Sequence, residues 1–269
     1  MYPNYFGLIC AALGLAVFAV TYRSASTLPI RKRWRWFILT AVLALPAGYN
    51  ALYYLHWVPE AAWFYEIRSW PGIEGWVIPM GAAGGFWATL LHRRMLVLPL
   101  LATVGVSWGP FLKPVFGPLN TESLHQTWTH DVCIQSTLSS CGPASTATVL
   151  KALDVSAQEH EIARAAHTYV GGTEAWYLAR YIRSRGLQAR FAFNASSFPE
   201  TMNLPAIVGV TVGGRGHFIA VIKRQGDVFD VGDPMIGPEK LTKAQLLRRY
   251  GFTGFVLEIS GVEPKGLNP

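Results

Sequence analysis

The chain has 269 residues, 51% of them apolar and only 14% charged, with a net charge of +7. Soluble domains carry about one-quarter charged residues, so this composition argues against a wholly soluble protein. Residues 1–118 hold nine Lys/Arg and three Asp/Glu, whereas residues 119–269 hold fourteen and thirteen. The excess positive charge stands in short clusters between apolar runs, which fits membrane topology and not a nucleic-acid groove.

Four apolar runs predict four membrane spans in residues 1–118: about 5–22, 36–58, 75–91 and 95–112. The first, Tyr5–Tyr22, lacks a basic region before it and a cleavage site after it, so a retained span is expected. Cys10 within it reads as packing. Arg23–Arg35 follows with five basic residues, and Trp36–Val58, with Pro46 and Gly48, is the clearest span. Pro59–Glu74 mixes Glu60, Glu66 and Glu74 with Trp63, Tyr65 and Trp70, as a loop or short helix at the membrane interface would. In Gly75–Leu91 the Met80–Gly85 segment would let a neighbouring helix approach closely. The fourth run, Met95–Leu112, contains Pro99 and Pro110. Counting basic residues in the connections puts the first and third in the cytoplasm and both chain ends on the other side. His56 and His92 are assigned no function.

Phe116–Asn120 reads as a linker, placing a second domain at 119–269. Asp131–Ile134 reads as a short strand. Gln135–Pro143, Gln-Ser-Thr-Leu-Ser-Ser-Cys-Gly-Pro, leads into a helix-like run through Leu153. Ser156-Ala-Gln-Glu159 has the form of a capping box opening a helix through Thr168, and Thr173 caps another, Glu174–Arg185, stopped by Gly186. Strands follow at Leu187–Phe193, Ala206–Val212, His217–Lys223, Asp227–Val231 and Gly254–Ser260. A last helix, Lys243–Tyr250, is capped by Thr242. Helices first and an antiparallel sheet after make an α+β domain.

Chemistry concentrates at four residues. Cys141 falls at the first turn of its helix, where free N–H groups and the macrodipole favour negative charge on sulfur. Gln135 carries an uncharged amide suited to stabilising an oxyanion. His217 begins one strand and Asp233 ends the next. A three-residue hairpin loop centred on Gln225 would set them directly opposite each other, so that the carboxylate orients the imidazole. A one-residue bulge would shift that register.

Other readings stand beside this one. His125, His130, Cys133 and Cys141 are metal-ligand types, but their spacing lacks the paired Cys-x-x-Cys of structural zinc. Cys133 and Cys141 could also form a disulfide, which would block the nucleophile. Cys133 is therefore read as structural or as a redox lock.

Gln135–Pro143, Gly216-His217-Phe218 and Asp233-Pro234 resemble the signatures of the bacteriocin-processing, double-glycine leader peptidases, a branch of the papain-like cysteine peptidases. The resemblance covers roughly Asp131 to Ile259. It implies Gln135 lining the oxyanion hole, Cys141 as nucleophile, His217 as base and Asp233 as its orienter. Ser140 stands where the leader peptidases usually have an acidic residue. The expectation is thus an α-helical transmembrane bundle followed by an α+β papain-like cysteine peptidase domain, its helices packed on the sheet. Its partners would be a peptide or protein substrate and the lipid bilayer, with no nucleic acid, no metal and no cofactor. A catalytically silent peptide-binding module and an acyl transferase are the alternatives. Substrate and oligomeric state are left open.

Overall fold

A computed structural model of the protein describes residues 2–120, 124–194, 198–199 and 201–261. The chain forms two compact units. One comprises residues 3–60 and 71–116; the other comprises residues 1–2, 61–70 and everything from Gly117 onward.

The first unit is helical: α1 (Tyr5–Ala25), α2 (Ile30–Leu43), α3 (Leu45–Tyr54), α5 (Ile78–Leu90) and α6 (Val97–Phe116), with α4 (Ala62–Arg68) belonging to the other unit. Among the described residues, three stretches are long and apolar enough to cross a membrane: Tyr5–Ala25, Ile30–Tyr54 and Arg93–Phe116. The predicted fourth span, 75–91, is the thirteen-residue α5 preceded by a 3-10 turn at Ile73–Val77. At 1.5 Å per residue α5 alone reaches about 20 Å, short of a ~30 Å hydrocarbon core. The second span starts earlier than expected. Arg31, Lys32, Arg33 and Arg35 are helical residues of α2, and the break to α3 falls just before Pro46.

The glycines of α5 act as the sequence suggests. A Cβ on Gly81 would collide with the Gly14 carbonyl of α1, and one on Gly84 or Gly85 would meet Phe18. Cys10 is buried in a core with Ala11, Ala47, Val77 and Phe111.

The other unit contains a six-stranded antiparallel sheet of order β3-β8-β4-β5-β6-β7. Its strands are β3 (Leu187–Phe193), β4 (Ala206–Val212), β5 (Arg215–Gln225), β6 (Val228–Asp233), β7 (Gly237–Thr242) and β8 (Gly251–Gly261). The sequence pattern missed β7. A two-stranded ribbon pairs β1 (Thr127–Thr129) with β2 (Val132–Ile134). Helices α7 (Cys141–Ala152), α8 (Glu159–Ala165), α9 (Ala175–Ser184) and α10 (Lys243–Arg249) complete the expected α+β arrangement. Gly186 does follow α9 with φ 79°, and Thr242 caps α10 in a full capping box with Gln245.

Every residue of α7 from Cys141 to Leu150 is buried. Its hydroxyls stay satisfied: Ser145 donates to the Phe218 carbonyl (2.9 Å) and Thr148 accepts the Cys133 N–H (3.0 Å). The helix passes close to β6, since a Cβ on Gly232 would meet Thr148 and Val132 at about 3 Å. A separate apolar cluster of Val208, Val210, Ile219, Val221, Phe229, Val231, Leu246 and Tyr250 joins the strands to α10.

Residues 61–70 depart from the expected domain limits. They carry α4, whose Tyr65 ring sits among Trp176, Phe191, Phe193 and Phe255 at centroid distances of 5.0–5.8 Å. Glu66 accepts the Phe191 N–H at 2.9 Å and pairs with Arg183. The stretch read as an interfacial loop is thus built into the sheet-bearing unit.

The glycine contacts give a direct test. Gly81→Ala should destabilise the helical unit by about 1–3 kcal/mol, the usual cost of overpacking. It should also speed maleimide labelling of Cys10. Gly105→Ala, with nothing within 4 Å of the added methyl, should change neither readout.

Candidate active site

Cys141 is the first residue of α7. Ser140 before it makes no side-chain cap bond to the helix; its hydroxyl instead accepts the Thr137 N–H at 3.0 Å, closing the preceding loop. The first-turn N–H groups therefore remain available for charge at the sulfur. Gly142 sits in close quarters: a Cβ there would be tight against Leu178 at 3.1 Å and in ordinary contact with Phe218 at 3.5 Å. Those contacts seat the helix start against the strand that carries His217.

The β5–β6 hairpin does not have the expected register. Gln225 pairs with Val228 around a two-residue loop, with Gly226 at φ 61°. A bulge at Ile222 then moves the pairing to Val221↔Val231 and Ala220↔Gly232. Continuing that register, Asp233 lies opposite Ile219, one diagonal step from His217. The two side chains share a face and still meet, because diagonal neighbours are within reach of long or ring side chains. His217 Nε2 lies 2.9 Å from Asp233 Oδ1.

The pair is deeply buried, with His217 7% and Asp233 1% exposed. Asp233 Oδ1 also accepts the Met235 N–H at 2.8 Å, and Oδ2 accepts the Tyr250 hydroxyl at 2.7 Å. Tyr250 was not singled out in the sequence; it appears there only as the last residue of a helix.

Gln135 sits between these parts. Its N–H donates to the Pro234 carbonyl (2.9 Å), tying it to the residue after Asp233. Its Nε2 donates to the Thr137 carbonyl (2.8 Å), which uses one of two amide hydrogens and fixes the amide's orientation. Glu159 is a further residue with a role the sequence misassigned. It does not cap its own helix, which starts at a Gln158 N-cap. Its fully buried carboxylate instead accepts the Ser136 N–H (2.9 Å) and hydroxyl (2.5 Å), pinning the loop beside Gln135.

Cys133 is buried, and burial pushes its thiol up to about 12. Cys10, Cys133 and Cys141 are all free thiols. His125 and His130 are exposed. Among the described residues no group of three or more His, Cys, Asp or Glu side chains is placed to hold a metal.

Burial alone would depress the basicity of His217. Hydrogen bonds to Asp233 and to Cys141, and their charges, outweigh it and raise the ring to about 9. Nε2 is committed to Asp233. Burial would raise Asp233, but bonds from His217, the Met235 N–H and Tyr250 hold it below the usual carboxylate value. The signs fix a pH profile. The raised His217 contributes stability that is whole below its unfolded value of 6.5 and lost as pH climbs through about 9. The lowered Asp233 contributes stability that is present above its unfolded value of 3.8 and lost as pH falls through its lower folded value. Thermal unfolding of the detergent-solubilised chain should show the melting temperature falling between pH 6.5 and 9, and His217→Gln should flatten that slope.

Comparison with known proteins meets the same stretch of chain. A model of the Peptidase C39 family matches residues 129–262, which contain Gln135, Cys141, His217 and Asp233. The probable functional amyloid protease FapD of Pseudomonas aeruginosa is 27% identical over 148 residues, covering 52% of this chain and 65% of that protein. FapD of Pseudomonas fluorescens is 28% identical over 184 residues, 63% of this chain and 80% of that protein. An uncharacterized protein of Methanothermobacter thermautotrophicus is 33% identical over 129 residues, 48% of this chain and 87% of that protein. Among solved structures, a double glycine motif protease from an AMS/PCAT transporter, in complex with the leader peptide, is 21% identical with a TM-score of 0.42. It aligns over 52% of this chain and 94% of its own. With a family model spanning the whole Cys-to-Asp stretch, and a relative one-third identical over nearly all its length, the chain belongs to the Peptidase C39 family.

Proposed function

We propose that the protein is a membrane-anchored cysteine peptidase with Cys141 as nucleophile, His217 as acid and base, Asp233 as orienter and Gln135 as oxyanion donor. The observation that carries this reading is the buried His217 ring, held by Asp233 at Nε2 and near enough to the helix-start Cys141 for that residue to raise its basicity. That is the arrangement in which an imidazole takes a proton from a thiol and returns it to a leaving group.

His217 takes the Cys141 thiol proton to give an imidazolium–thiolate pair, and the sulfur anion then attacks the scissile carbonyl carbon. Charge developing on the carbonyl oxygen meets the Cys141 N–H and the second hydrogen of Gln135 Nε2. His217 then protonates the leaving amine, the C–N bond breaks and an acyl-enzyme remains. Water gives a proton to His217 and its oxygen attacks the thioester; the carboxylic acid leaves and the proton returns to the sulfur. Asp233 holds the ring's tautomer and stabilises the imidazolium throughout.

The substrate class is a peptide or protein. The FapD relatives, named as probable functional amyloid proteases, make an amyloid-forming polypeptide the first candidate to test. The proposed location of the peptidase unit is the extracytoplasmic side of a bacterial inner membrane. Tyr2, residues 61–70 and residues from Gly117 onward all belong to one unit, and two helical legs separate each from the next. The basic residues Arg23–Arg35 and His92–Arg94 fall midway through those two excursions, where cytoplasmic turns carry positive charge. This supports α5 as the fourth crossing despite its length.

Full-length protein in nanodiscs, incubated with a proteome-derived peptide library, should generate new N-termini. Cys141→Ala and His217→Ala should abolish them, and Gln135→Ala should slow them by about 10²–10³. Iodoacetamide should label Cys141 in the wild type and in Gln135→Ala alike. Undiminished cleavage by Cys141→Ala would falsify the reading.

A further inference from the structure

Asp233 is served by more than the ring it is proposed to orient. Its Oδ1 takes the His217 ring and the Met235 N–H, both supplied by residues next to it in the β5–β6 hairpin region. Its Oδ2 takes a hydroxyl from outside that hairpin, that of Tyr250, at 2.7 Å. Tyr250 is 3% exposed and stands between α10 and β8, its ring in the apolar cluster with Leu246, Phe229 and Val231. A ring so packed has little freedom, so the hydroxyl is delivered at a fixed point. The capping box Thr242–Gln245 sets where α10 begins and therefore where Tyr250 ends up.

A carboxylate with donors on only one oxygen can rotate about its Cβ–Cγ bond and offer either oxygen to the ring. With Oδ2 occupied, Oδ1 is the oxygen that faces His217. The same donor withdraws negative charge from the carboxylate and so tempers its hold on the imidazolium. We propose that Tyr250 is a positioning residue of this peptidase, fixing the Asp233 carboxylate on His217 and setting the strength of the imidazolium that Cys141 pairs with. This inference rests on the proposed roles of Cys141, His217 and Asp233.

Among the described residues, the charged and titratable groups around the network are few. Cys141 faces His217 from α7, and Asp233 belongs to β6. On the outer side of Tyr250, Arg249 lies 5.7 Å from its ring centroid and pairs with Glu239 of β7 at 2.5 Å. Arg249 and Glu239 oppose each other in their effect on Tyr250. The Asp233 carboxylate remains the group that its hydroxyl serves.

The test is the pH dependence of Cys141 alkylation by iodoacetamide, measured on the full-length chain in nanodiscs, with the Cys141→Ala background subtracted. The wild type should show a step where the imidazolium loses its proton, and His217→Ala should remove that step. Tyr250→Phe, which strips one donor from the carboxylate, should move the step upward by about half a pH unit. Replacing Tyr250 by 3-fluorotyrosine, a stronger donor of the same shape, should move it downward. Opposite shifts are expected only if the hydroxyl sets the charge on Asp233. A step that stays in place in both variants, with only the melting temperature changed, overturns the proposal. If Tyr250→Phe does not fold, the fluorotyrosine protein decides alone: a downward shift supports the role and no shift ends it. A wild-type profile indifferent to His217→Ala instead overturns the peptidase reading beneath it.

Discussion

Everything at the site depends on one buried contact, the His217 imidazole on the Asp233 carboxylate. Removing such groups from water costs several kcal/mol per ion, and a well-packed apolar pair of similar volume often serves stability as well or better. The pair is therefore poorly explained as a stabilising device. It survives burial because both carboxylate oxygens are met: the ring and the Met235 N–H on one, Tyr250 on the other. The ring in turn becomes more basic, although burial by itself works the other way. A ring that holds its proton above neutrality is suited to pair with a sulfur anion and then to release that proton to a leaving amine.

Small residues bring the sulfur to that ring. Gly142 lets the start of α7 rest on Leu178 and Phe218, and Gly232 lets the body of the helix pass over β6 beside Val132 and Thr148. A side chain at either position would crowd these neighbours, more tightly at Gly232 than at Gly142. The loop before Cys141 is held as firmly: Glu159 grips Ser136, Ser140 closes on Thr137, and Pro234 receives the Gln135 N–H. Ser140, at a position usually acidic in the leader peptidases, thus has a structural task in this chain. It bonds to the loop and makes no cap bond to the helix N-terminus.

The two units are threaded through one another in sequence. The segment with Tyr65 and Glu66 leaves the helical region, inserts an aromatic ring among Trp176, Phe191, Phe193 and Phe255, and returns. Aromatic clusters of this kind bury large areas and add pairwise ring contacts of about 0.5–1.5 kcal/mol each. Residues 61–70 are therefore part of the peptidase unit's own core. The sheet and its helices from Gly117 onward, cut away from the rest of the chain, would lack the ring at the centre of that cluster.

The order Gln135, Cys141, His217, Asp233 could be read directly, because each lies in a short local signal: a helix start, a glycine-flanked strand, an Asp-Pro end. The limits of β3 and β4 also follow from their richness in Val, Ile and Phe and from the Gly, Pro and Asn that flank them. The hairpin register did not, since the bulge at Ile222 leaves the alternation of Ile219 and Val221 untouched and the loop shortens by one residue. Glu159 looked like a cap because Ser156 stands three residues before it; only the fold brings Ser136 to its carboxylate. Tyr250 and residues 61–70 bear no local mark at all, since their partners lie 17 and more than 100 residues away. Local chemistry and periodicity thus determined which residue types were available and on which elements. Which carboxylate oxygen meets which ring, and which distant side chain holds it there, was decided by packing between elements remote in the chain, an interaction no single stretch of sequence contains.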